Sequence, residues 1–291
     1  MENINENVER RRKKKKGFPM ISTLIIIGCA VVMAVALYNI IKIKLEYKHI
    51  SDTNNSIISA IVKEEKPAAE NAPPPSYNTD LGFSYDHNAA LSMNNDTKAL
   101  FYMPSTSSKL PVVQAKDNDY YLHRDFYGNY SRGGTLFIEA EIREAMASNY
   151  VIIYGHHMND NSMFTPNNNY KDEAFYRKNG NDVFYLLTGD GVKKYKIFSV
   201  FNVEPTNESV YSINYSPEQL KARAEKWKSM SKYDTGVDIS NARQVVALSS
   251  CEATNYNYRL VIMGTLVEES PYKNLGTTSV VTETPAENSN Q

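Results

Sequence analysis

Two stretches decide how this chain folds: Tyr150-Val151-Ile152-Ile153-Tyr154-Gly155-His156-His157-Met158 and Val245-Val246-Ala247-Leu248-Ser249-Ser250-Cys251. Each is a short apolar run rich in β-branched or aromatic residues, the length of a strand rather than of a helix. Each also ends on a side chain that can do chemistry, a histidine pair in one case and a cysteine in the other. Strand ends project side chains from a rigid sheet, so two such ends can face a single cleft.

Further apolar runs bounded by turn residues lie at 100–103, 135–140, 183–188, 194–203 and 259–267, which predicts a mostly β domain. Between two of them, Thr188-Gly189-Asp190-Gly191 supplies the residues a tight hairpin requires, because glycine takes positive φ without steric cost. One helix start stands against this background. Ser216-Pro217-Glu218-Gln219 has serine at the N-cap, proline in the first turn and glutamine closing a capping box. Leu220, Ala224 and Trp227 then share one face, the spacing of a helix that docks on a core.

The ends of the 291-residue chain have another composition. Seven basic residues, Arg10 to Arg12 and Lys13 to Lys16, precede positions 18–41, which carry no charge; 41 − 17 gives 24 positions. A helix needs roughly 20 residues to cross a hydrocarbon core, whereas a cleaved signal has an apolar core of about 7–15, so an anchor is expected. The basic excess before the span, with only Lys42, Lys44 and Lys48 soon after it, favours a cytoplasmic N-terminus and an external remainder. Beside an apolar 24-mer that basic run is explained by topology and anionic headgroups, and nucleic acid is not an expected partner. The net charge of −1 conceals this asymmetry.

The expected organisation is a cytoplasmic tail at 1–17, a transmembrane helix at 18–41, an extracellular tether at 42–80, a folded domain at 81–270 and a disordered tail at 271–291. The tether reading rests on Pro67, Pro73, Pro74 and Pro75 and on weak apolar periodicity, with room for a short helix near 55–62. The tail is rich in Thr, Ser, Asn and Glu.

There are two cysteines, Cys29 inside the apolar span and Cys251 far into the outer domain, so they cannot pair. Exported domains use cysteines in disulfides or avoid them, which makes a lone thiol either buried and inert or reactive. Among His49, His87, His123, His156 and His157, only the last two end a strongly β run. An imidazole or guanidinium near Cys251 would stabilise a thiolate, and an imidazole would supply the proton for a leaving amine. Arg259 opens the next run eight residues later (259 − 251). If 252–258 turns the chain into an antiparallel neighbour, Arg259 returns to the level of Cys251, where its donors can hold an oxyanion. Each residue also has a plain reading, as a small buried thiol, a turn histidine or a solvated strand-edge arginine. A zinc site from His156 and His157 is not expected, since neighbouring strand residues point to opposite faces and no other His or Cys is spaced to join them.

Tyr154-Gly155-His156-His157-Met158 followed by Asn161-Ser162-Met163-Phe164 resembles the histidine motif of class B sortases. Leu110 to Gln114, Asp117 to Leu122 and Gly128 to Ser131 with Gly134 resemble the same family in the same order; Leu248 to Cys251 matches its cysteine motif and Arg259 its arginine. The resemblance covers roughly 91–268 and departs at Ala247 and Ser250, where the family often has Thr; Ser250 keeps a hydroxyl and its backbone N–H.

The resemblance implies an eight-stranded sortase β-barrel with peripheral helices, preceded by one transmembrane helix. It implies thiolate attack by Cys251 on a peptide sorting signal, NPxTx-like for the class, and a thioacyl enzyme resolved by an amine of peptidoglycan or of its lipid-linked precursor. His156 would be general acid and base, and Arg259 would orient substrate and stabilise the oxyanion. Asn118, Leu122, Tyr154, Ser249 and Glu252 resemble groove residues, with Ser250 beside them, and no cofactor or metal is implied. A pilin-polymerising sortase, a hydrolytic cysteine protease and an inactive membrane-tethered peptide-binding module are the competing readings.

Overall fold

The computed structural model describes residues 20–64, 77–251 and 257–273, with the backbone alone for Ile21 and Cys251. It divides into two units, residues 1–48 and 49–291. The basic N-terminal tail, the first two residues of the expected span, Pro67, Pro73 to Pro75, Glu252 and everything from 274 onward lie outside the described residues.

Helix α1, Met20–Ile61, is long and apolar enough in its first part to cross a membrane by length and composition. In the first unit its apolar side chains, among them Leu24, Ile27, Val32 and Leu37, are exposed. In the second unit Ile50, Ile57 and Ile61 of α1 are buried. They recur at i, i+7 and i+11, one face of a helix. Residues 49–61 are therefore a docked helical turn series and not the solvated spacer that composition suggests. A two-stranded ribbon, β1 (Val62–Lys63) with β2 (Ser84–Tyr85), follows.

The rest of the second unit is a closed barrel. Its strands are β3 (Thr97–Met103), β4 (Ser108–Val113), β5 (Leu136–Ile138), β6 (Tyr150–Gly155), β7 (Val183–Leu187), β8 (Val192–Val203), β9 (Val245–Cys251) and β10 (Arg259–Ser270), in the spatial order β10-β8-β7-β3-β4-β5-β6-β9 with β9 closing on β10. All seven apolar runs read from the sequence are strands of this eight-stranded barrel. The eighth, β4, contains Pro111, which argues against a central strand. It is accommodated because β5 pairs only with Val112 and Val113, leaving Pro111 without a neighbour on that side. The β7–β8 hairpin closes as expected, with the Thr188 amide donating to the Gly191 carbonyl at 2.9 Å.

Helix α2 (His87–Met93) lies between the ribbon and β3, and α3 (Glu173–Tyr176), α4 (Glu208–Tyr211) and α5 (Pro217–Ser229) lie between barrel strands. Helix α5 begins at the predicted capping box: Ser216 Oγ accepts from the Gln219 amide at 3.2 Å and Gln219 Oε1 accepts from the Ser216 amide at 2.8 Å. Leu220, Ala224 and Trp227 are buried, and the Trp227 ring stacks on Tyr150 at 4.8 Å. At the C-terminal end the described residues run past 270 to Lys273. Tyr272 donates its hydroxyl to the Thr188 carbonyl at 2.5 Å and the Lys273 amide donates to Asn78.

Candidate active site

The site continues a packed sheet face beyond its apolar part. Tyr150 and Ile152 of β6, Val245 and Ala247 of β9, and Val261 and Met263 of β10 belong to one buried cluster with Trp227. Register aligns them in rows: Ile152 with Ala247 and Met263, then Tyr154 with Ser249 and Val261. Alternation with a period of two makes the next row residues 156, 251 and 259. Cys251 pairs directly with Arg259 across β9 and β10. On the other side the last β6–β9 pair is Gly155 with Ser250, which sets His156 one step on, at the level of Cys251. The antiparallel return of Arg259 to Cys251 is thus as the sequence spacing requires.

A cavity of about 320 Å³ opens at this row. Its lining includes Asn118, Leu122, Tyr154, His156, Ser249, Ser250 and Arg259, which are all of the candidate residues with described side chains. His157 does not line it and instead forms an isolated bridge with Met163. Three lining residues, Phe137, Pro205 and Tyr211, carry no sequence signal for a site. Tyr211 lies on α4, stacks on Tyr154 at 6.3 Å and hydrogen-bonds Ser249 through its hydroxyl at 3.0 Å.

His156 is held by one strong bond, Nε2 to the Leu122 carbonyl at 2.7 Å. A carbonyl only accepts, so Nε2 carries the proton and Nδ1 is the nitrogen left to take one. Burial lowers the His156 pKa from its usual value of 6.5; the Leu122 bond opposes this, and the His123 and Arg259 charges reinforce it. The His123 ring lies 6.0 Å from His156 and nearly parallel to it, a neighbour not foreseen from the sequence.

The chain around His156 explains its motif. Phe164 donates its amide to the His156 carbonyl at 3.0 Å, and Thr165 Oγ1 bridges the Met158 amide and carbonyl. Phe164 then packs against Gly155, where a Cβ would stand 2.5 Å from both Leu136 Cδ2 and Phe164 Cδ2. Gly155→Ala is accordingly expected to cost about 1–3 kcal/mol through overpacking and to displace His156. Thermal unfolding and turnover measured together check it: a stable, fully active variant would contradict this packing argument.

Comparison with known proteins identifies the family of the fold. The family model of the sortase domain matches residues 101–267. A curated Sortase B from Listeria monocytogenes is 31% identical over 180 residues, covering 60% of this chain and 71% of its own. Sortase B of Staphylococcus aureus is 23% identical over 180 residues, covering 61% and 73%. Among solved structures, sortase B of B. anthracis in complex with AAEK1 superposes with a TM-score of 0.63 at 25% identity, covering 77% of this chain and 99% of that one. Clostridium perfringens sortase B gives 0.58 at 27%, covering 63% and 100%. The chain belongs to the sortase family of cysteine transpeptidases. Within that family its relatives and its fold are those of class B.

Proposed function

We propose that the chain cleaves a C-terminal sorting signal of secreted proteins, NPxTx-like, through a thioacyl enzyme on Cys251 and transfers the acyl group to a peptidoglycan amine. The observation that carries this reading is the register row in which Cys251 stands between Arg259 on β10 and position 156, the residue directly after β6. His156 Nδ1 takes the thiol proton as sulfur attacks the scissile carbonyl, and the Arg259 guanidinium stabilises the oxygen that becomes negative. Collapse breaks the C–N bond, and the imidazolium returns its proton to the leaving amine. An incoming amine attacks the thioester, gives its proton to His156, and the thiolate leaves and is reprotonated. The lowered pKa of His156 suits both halves: the free imidazole is neutral near pH 7, and the imidazolium is a stronger acid than usual.

Asn118, Leu122, Tyr154, Ser249, Ser250 and Glu252 bind the signal in this reading. Support for the first five is that they line the cavity beside the register row. We further propose a single-pass membrane protein with its N-terminus in the cytoplasm and its barrel outside, on the strength of the basic tail and the apolar start of α1.

The pH profile tests the role of His156. Only neutral imidazole accepts the thiol proton, so kcat/KM for an NPxTx-type peptide should rise with pH through a value below 6.5. An acidic limb at or above 6.5 would contradict a buried neutral base. A pilin-type acceptor is separated by competition: a diamino-acid amine should exchange into the product in preference to a lysine-bearing pilin peptide.

A further inference from the structure

We propose that Glu139, a buried carboxylate behind the cavity wall, is a positioning residue that sets the hydrogen-bond polarity with which the wall meets the sorting signal. The proposal rests on the transpeptidase reading above and goes beyond it, because Glu139 itself does not line the cavity.

Glu139 directly follows β5 and is only 9% exposed. Its backbone is pinned on both sides, the amide donating to the Ile152 carbonyl at 3.0 Å and the carbonyl accepting from Gln114 Nε2 at 3.0 Å. Its two carboxylate oxygens take two different wall residues. Oε1 accepts from Asn118 Nδ2 at 2.6 Å and Oε2 accepts from the Tyr154 hydroxyl at 2.8 Å. Asn118 Oδ1 accepts from the Ala140 amide at 2.9 Å, which fixes the amide's orientation. The Tyr154 ring is held besides between Phe137 at 5.2 Å and Tyr211 at 6.3 Å.

These bonds leave a defined remainder. The Tyr154 hydroxyl has given its hydrogen to Glu139, so toward a third group it can only accept. Asn118 has committed one of its two Nδ2 hydrogens and keeps one to donate. A wall with one acceptor at 154 and one donor at 118 complements an amide, which carries a donor and an acceptor in one plane. Glu139 thereby selects an amide group of the signal peptide, and rejects a group that cannot supply both halves. A neutral amide at 139 could not do the same: its NH2 group stands where one carboxylate oxygen accepted, so the Tyr154 hydroxyl must turn to accept from it or share the remaining oxygen with Asn118, and in either case the wall loses its charged acceptor.

The test compares Glu139→Gln with the wild-type full chain in detergent micelles, by three readouts. For an NPxTx-type peptide, KM should rise about ten-fold or more while kcat changes little, the signature of lost ground-state positioning. Alkylation of Cys251 by iodoacetamide, followed by peptide mass mapping across pH, should be unchanged, because the Cys251 and His156 row is untouched. The side-chain amide resonance of Asn118 should move upfield, because its short bond passes from a charged acceptor to a neutral one or is lost. An unchanged KM, an alkylation profile that falls in step with turnover, or an unmoved Asn118 resonance would each overturn the proposal. Should the wild type process no peptide of this type, the signal assignment fails by itself, and the Asn118 resonance still decides whether Glu139 holds the wall.

Discussion

Cys251→Ala is expected to remove thioacyl formation and transfer altogether, a loss of more than about 10⁴-fold, with the thermal transition unchanged. No other thiol lies in residues 49–291, since the second cysteine, Cys29, belongs to the apolar part of α1. Covalent catalysis has no substitute for its nucleophile, and water attack on an unactivated amide is too slow to be seen. Position 251 is the last residue of β9, paired by its backbone to Arg259, so alanine keeps the sheet. Turnover and thermal unfolding on the same sample check both halves. Residual transfer by a folded variant would assign the nucleophile elsewhere.

His156→Ala should lower kcat/KM by about 10²–10⁴-fold, the range for a lost general acid and base. His157→Ala should stay close to wild type. The two residues are adjacent, so this contrast tests geometry rather than composition. His156 lines the cavity at the level of Cys251 with Nε2 tied to Leu122, whereas His157 pairs with Met163 away from it. Kinetics of both variants on one peptide decide the matter, and equal losses would contradict the register argument.

Much of the site was legible because it obeys local rules. The β6 and β9 runs are period-two strands whose apolar faces end on His156 and Cys251, and the eight-residue spacing to Arg259 suffices for an antiparallel return. The capping box at Ser216 is likewise a local signal. What was hidden depends on tertiary partners. Ile50, Ile57 and Ile61 stand among Ser, Asp and Asn, so their shared face shows only once they are buried, and residues 49–61 read as spacer. Pro111 disguised β4 because a proline is acceptable only where a neighbouring strand has ended, which sequence cannot say. Tyr211 and Glu139 reach the site by chain crossings, from α4 and from the end of β5, with no motif around them. Tyr272, in a tail of polar composition, is held by one hydroxyl bond to Thr188 across the hairpin turn.

The most direct test of the central claim is intact-mass spectrometry of the full chain in detergent micelles, incubated with an NPxTx-type peptide with and without a diamino-acid amine. The account predicts a thioacyl adduct that maps to Cys251, disappears in Cys251→Ala, and is converted to an amine-exchanged peptide when the amine is present. A folded protein with a titratable Cys251 thiol that forms neither adduct nor exchanged product from NPxTx- or LPxTG-type peptides would contradict it.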